Sequence, residues 1–186
     1  MANKPQITVV GSSNSDLIIQ VPRLPGPGET VIGHSFSIAA GGKGANQAVA
    51  AARAGGDVTF IASVGDDHYG REAIAGYQRA GVNTDFIQTT PDTSTGVAQI
   101  MVADDGENSI AVALGANTRL LPEHVQTAKK AMEQSQVLLL QLEIPMETVE
   151  YTLHLGRELG LTIVLNPAPV TSIPRSRLQG LFLTPN

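Results

Sequence analysis

The chain has 186 residues, 42% hydrophobic and 16% charged, which is enough to close one domain around a sizeable core and too apolar for a disordered chain. Its net charge of −5 argues against nucleic acid as a partner, and the absence of cysteine excludes disulfides and thiolate metal sites and fits a reducing cytoplasm. No apolar run is long enough to span a membrane, residues 1–6 lack the apolar core of a signal peptide, and without tryptophan a sugar would be held by hydrogen bonds rather than stacked.

Ile7–Val10 is a short β-branched run ending at Gly11, the pattern of a buried strand. Residues 12–16 read as a polar loop, Leu17–Val21 as a second strand and 22–28 as a proline-rich turn. Residues 30–39 alternate well enough for another strand. Gly41-Gly42-Lys43-Gly44-Ala45-Asn46-Gln47 comes next and feeds an alanine-rich helix closed by Gly55-Gly56. Glycine lets backbone approach a ligand closely. The stretch is therefore expected to present backbone N–H groups, one cation and one amide at a helix N-terminus, suited to an oxygen-dense ligand. It is not a P-loop, because Gly44 stands where Ser or Thr is needed. Nor is it a dinucleotide fingerprint, because Gln47 replaces the third glycine.

Val58–Val64 predicts a buried strand, with Asp66 and Asp67 as N-cap residues for a helix over Tyr69–Ala80. Phe86–Gln88 is a short strand candidate. Val97–Val102 and Ser109–Val112 flank an Asp-Gly turn, a hairpin signal. Pro122–Gln134 reads as helix, Val137–Leu142 as a strand ending at Glu143, and Pro145–Leu159 as helix. Thr162–Leu165 reads as a strand ending at Asn166, and Leu181–Thr184 as a last strand.

Apolar strands alternating with helices predict an α/β fold with a doubly wound, mainly parallel sheet and helices on both faces. The hairpin segments break that rhythm and are assigned to a small separate sheet. Open parallel sheets bind ligands beyond the carboxyl ends of their strands. Asn14 and Asp16 follow the first strand there, and Glu143, Asn166 and Asn186 follow later ones. With Lys43 and Asn46, the residues Asn14, Asp16 and Glu143 make a polyol-binding set. Taken singly, Asn14 and Asp16 also suit turn positions. Glu143 is harder to place so, since a carboxylate closing an apolar strand needs a partner. His34, His68, His124 and His154 lack metal-ligand spacing and are given no role.

Gly41–Ala50 resembles the first signature of the PfkB carbohydrate kinase family. Gly11–Asp16, Gly115-Ala116-Asn117, Gln141-Leu142-Glu143, Asn166-Pro167-Ala168-Pro169 and Thr184-Pro185-Asn186 are similar to its ribokinase group. The resemblance implies a ribokinase-like fold and ATP-dependent phosphorylation of D-ribose at its 5-hydroxyl, with Mg2+ and K+. It implies that Asn14, Ser15, Asp16, Gly42, Lys43, Gly44, Ala45, Asn46 and Glu143 hold the sugar. Ala98, Ile100 and Val112 would face the sugar from a β-lid built of segments about 14–40 and 96–113, and the lid would make a homodimer contact. Asn186 would serve the ATP and Mg2+ side as the first residue of an Asn-x-x-Glu motif. Another pentose or nucleoside kinase such as a deoxyribokinase, or a non-catalytic sugar-binding fragment, is the alternative. The family's second signature, a Gly-Ala-Gly-Asp-like loop with the catalytic Asp and the anion hole, is not in this sequence. Residues 1–186 are thus expected to be the N-terminal part of a single domain. Alone they should be inactive, hold no catalytic residue or metal ligand, and leave the last strand as an exposed edge.

Overall fold

A computed structural model describes residues 4–169 and 174–184. Strand β1 (Gln6–Val10) lies inside a six-stranded sheet. Its neighbours are β4 (Asp57–Gly65) and β8 (Val137–Leu140). Beyond β4 lies β5 (Ile87–Thr90), and beyond β8 lie β9 (Thr162–Leu165) and β10 (Phe182–Leu183). All these pairings are parallel.

Strands covered on both faces are mostly apolar, and successive side chains serve two cores. Val9, Val58, Phe60 and Ala62 cluster with Ala45 and Ala48 of α1 (Lys43–Arg53) and with Ala73 and Tyr77 of α2 (His68–Arg79). Val10, Ile61, Leu138, Leu140 and Ile163 serve the other core. Its helices are α3 (Pro122–Thr127), α4 (Lys129–Met132) and α5 (Met146–Glu158), through Val125, Met132, Val149 and Leu153. Each Val, Leu, Ile, Phe or Met among them contributes about 1.5–3 kcal/mol when fully buried.

Strands β2 (Asn14–Val21), β3 (Ser35–Gly41), β6 (Gly96–Ala103) and β7 (Asn108–Ala113) form a second sheet in the order β3-β2-β6-β7. The β6–β7 pair is the hairpin signalled by the Asp-Gly turn. The chain passes between the two sheets at residues 11–13, 42, 91–95 and 114.

Several local expectations differ. Asn14–Asp16, expected in a loop, begin β2, where they pair with Gly41–Ala39 on one side and Gly96–Ala98 on the other. Helix α1 starts at Lys43, inside the stretch expected to be loop. The 122–134 helix is interrupted at Ala128, whose φ of −89° and ψ of 0° leave the α-helical basin. A short α6 (Arg175–Leu178) precedes β10 without a sequence signal. Asp67 caps α2 as expected, its carboxylate accepting the Gly70 N–H at 2.8 Å.

Candidate functional site

Helix α1 begins against the chain that leaves β1. Gly42, at its N-cap, has φ +92°, a conformation that suits glycine. A Cβ on Gly44 would sit 2.6 Å from backbone atoms of Gly11 and Ser12, so only glycine allows this approach. The first turn thereby comes within reach of the residues that follow β1 and β8.

Its N–H groups find partners within the protein. Lys43 N–H donates to Glu143 Oε2 at 3.1 Å, Gly44 N–H to Ser12 Oγ at 3.3 Å, and Ala45 N–H to the Ser12 carbonyl at 2.9 Å. Ser12 Oγ donates to Glu143 Oε2 at 2.6 Å. The glycine stretch suggests N–H groups free for a ligand; for Lys43, Gly44 and Ala45 a carboxylate, a hydroxyl and a carbonyl of the chain itself take them instead. A carboxylate at a helix N-terminus also complements the helix dipole.

Glu143 is 8% exposed, and its Oε1 accepts from Lys43 Nζ at 2.8 Å. Burial pushes the Glu143 carboxyl up, but the hydrogen bonds from Lys43 and Ser12 outweigh it and hold the carboxyl below its ordinary value. Glu143 is therefore an anion at neutral pH. Asp16 differs. Burial and then the charge of Glu143 raise its carboxyl above the ordinary 3.8, and the Lys43 ammonium offsets this only in part.

Asn14, Asp16, Gly42, Lys43, Asn46 and Glu143 line one open cleft of about 150 Å³. Its remaining wall is apolar: Ala98, Ile100, Ile110 and Val112 of β6 and β7. Strand β2 presents alternate side chains to opposite faces. Asn14 and Asp16 thus reach the cleft, while Ser15 lines a separate groove with His68, Tyr69 and Arg79. Gly44 and Ala45 are buried under the first turn of α1, and Ala45 packs into the core, so neither reaches the cleft. Asn186 lies outside the described residues.

Two buried residues were not picked out by their chemistry. Ser12 is fully buried and links Glu143 to the start of α1. Asn117, on the 3-10 turn Gly115–Arg119, is fully buried and donates to Asn14 Oδ1 at 2.8 Å. The signals available were a serine directly after a strand and a Gly-Ala-Asn after the hairpin.

Among the described residues no group of three or more His, Asp or Glu side chains is placed to hold a metal ion. Asn166 Oδ1 and Thr184 Oγ1, just past β9 and β10, are buried without hydrogen-bond partners among the described residues. Mg2+ takes carboxylates together with substrate phosphates, and K+ takes rings of carbonyls. Two neutral oxygens provide neither, so the described residues do not by themselves fit either ion.

The sequence matches the model of the pfkB family carbohydrate kinases over residues 4–182. It is 42% identical over 181 residues to a ribokinase of Haemophilus influenzae, covering 97% of this chain and 59% of that protein. It is 41% identical over 163 residues to a deoxyribokinase of Salmonella typhi, covering 88% of this chain and 53% of that protein. An Arabidopsis thaliana ribokinase, solved in complex with ribose and ATP, superposes with a TM-score of 0.86 at 31% identity, covering 98% of this chain and 60% of that one. The chain thus spans a little over half the length of these relatives, and its two sheets and flanking helices have the ribokinase-like fold. The chain belongs to the pfkB family of carbohydrate kinases.

Proposed function

We propose that the protein is a ribokinase, transferring a phosphoryl group from ATP to the 5-hydroxyl of D-ribose, with the cleft beside α1 as its sugar site. One observation carries this reading: Asn14, Asp16, Lys43, Asn46 and Glu143 converge on a single cleft whose other wall is apolar. A pentose offers several hydroxyls, each able to donate and to accept. Asp16 accepts, while the Lys43 ammonium has donors beyond the one used on Glu143. Glu143 holds that ammonium in place and is held in turn by Ser12 and by the Lys43 N–H. Asn46 is exposed at the cleft rim and adds an amide.

The second sheet acts as a lid in this reading, and residues 4–182 as part of one domain. Ala98, Ile100, Ile110 and Val112 would exclude water above the sugar, which protects ATP from hydrolysis. Mg2+ would neutralise the phosphate charge, and it and K+ are assigned to none of the described residues. The relatives named as ribokinases, and the one solved with ribose and ATP, support the substrate pair. Exposed Phe36 and Ile38, on the face of the second sheet turned away from the cleft, support a homodimer through that sheet. A cytoplasmic location is proposed from the lack of cysteine.

The deoxyribokinase relative, at nearly the same identity, favours 2-deoxy-D-ribose as a second reading. Steady-state kinetics of the full-length protein with ribose, 2-deoxyribose and a nucleoside separates them. The highest kcat/KM is expected for ribose. A higher value for deoxyribose selects the second reading, and no ADP release with any sugar overturns both.

A further inference from the structure

We propose that Asn117 is a positioning residue: it fixes the Asn14 amide with its oxygen turned inward, so that Asn14 offers the cleft an N–H donor and no acceptor. The inference rests on the sugar-site reading.

Asn117 cannot be turned over. Its Oδ1 accepts the Ser13 N–H at 2.8 Å. Its Nδ2 donates to the Leu114 carbonyl at 2.8 Å and approaches the Ser13 carbonyl at 3.2 Å. A flipped amide would set oxygen against two carbonyls and nitrogen against an N–H. Backbone alone therefore decides that Nδ2 faces Asn14, where it donates to Oδ1 at 2.8 Å. If Asn14 turned its own Nδ2 inward, two donors would meet in a buried place.

Neither amide has room to move aside. Asn117 is fully buried and Asn14 is 3% exposed. A Cβ on Gly96 would lie 2.2 Å from Asn14 Oδ1 and 2.3 Å from Asn117 Nδ2. Glycine at position 96 is what lets the two amides lie against β6.

The consequence is directional. Asn14 Nδ2 has no hydrogen-bond partner among the described residues, and Asn14 lines the cleft with Asp16, its neighbour on the same face of β2. A sugar hydroxyl placed there accepts from Asn14 and gives its own proton to Asp16. A deoxy position, or a group that cannot accept, leaves a buried donor unpaired.

The test is a double-mutant cycle read by isothermal titration of D-ribose into the full-length protein. Asn117→Asp keeps the shape and still accepts from Ser13, but it removes the donor to Asn14. It is expected to weaken ribose binding on the order of tenfold. In an Asn14→Ala background the same change should cost no further affinity; a residue with only a structural role would weaken both backgrounds alike, and that additive result overturns the inference. Asn14→Asp covers the case in which Asn117→Asp does not fold. It keeps the bond from Asn117 but turns an oxygen to the cleft, so ribose affinity should fall, and unchanged affinity overturns the inference. Should Asn14→Ala and Asp16→Ala both leave ribose affinity intact, the sugar-site reading falls with it. Should they weaken binding while the cycle is additive, the inference alone falls.

Discussion

Asp16 and Glu143 face one cleft and one ammonium, yet their carboxyls shift in opposite directions. The difference lies in hydrogen bonding. Glu143 accepts from Ser12 and twice from Lys43, and these bonds offset its burial. A carboxyl lowered in the folded state stabilises the protein above its unfolded value, and that contribution is lost as pH falls through the folded one. Glu143→Gln is therefore expected to cost about 1–3 kcal/mol in urea unfolding at neutral pH. The deficit should shrink as pH drops below the ordinary 4.5, and a deficit independent of pH contradicts the ion-pair account. Asp16 has the opposite sign. Its folded carboxyl holds its proton more tightly than the unfolded one, so ionisation costs stability once pH rises past 3.8. Asp16→Asn should leave Tm unchanged or raise it while weakening ribose binding by about 1–3 kcal/mol. Calorimetry checks both at once, and a lower Tm with intact binding contradicts the assignment. That outcome would be the pattern of a residue kept for its ligand at some expense of stability.

At the scale of elements, the start of α1 decides where the cleft lies. Gly44→Ala would drive a Cβ against backbone on the facing chain, which cannot yield as a side-chain tip could. Overpacking of this kind costs about 1–3 kcal/mol, and wild-type stability of that variant by urea unfolding would show that the contact is slack. The helix itself was legible from its alanines and closing glycines, and so were α2, α5 and the inner strands from their periodicity and caps. The first residues of β2 were not. Asn14, Ser15 and Asp16 look like a loop because their β character comes from Gly41 and Gly96, which are distant in sequence. The partner of the Lys43 N–H is equally hidden, since Glu143 lies 100 residues on. The break at Ala128 carries no glycine or proline to announce it.

In the whole molecule, the segment after β8 and the start of α1 bring Glu143 and Lys43 to the cleft, and the second sheet brings Asn14, Asp16 and the apolar wall. The two-sheet plan was readable because strand–helix alternation and an Asp-Gly hairpin are different patterns. The composition of the site was readable only in part. Residue type and strand ends pointed to Asp16, Lys43 and Glu143, but strand alternation, which sends Ser15 to the far face, could not be applied while 12–16 read as loop. The second sheet also exposes Phe36 and Ile38 on the face shared with Ser15. If that sheet makes a homodimer, Phe36→Glu combined with Ile38→Glu should shift sedimentation toward the monomer without unfolding; an unchanged dimer would place the contact elsewhere.

The most direct measurement is a crystal structure of the full-length protein with D-ribose. Sugar hydroxyls are expected within hydrogen-bonding distance of the Asp16 carboxylate, Asn14 Nδ2 and Lys43 Nζ, under Ala98, Ile100 and Val112. Ribose bound instead in the groove beside Ser15, His68 and Arg79, with the α1 cleft filled only by water, would contradict the account.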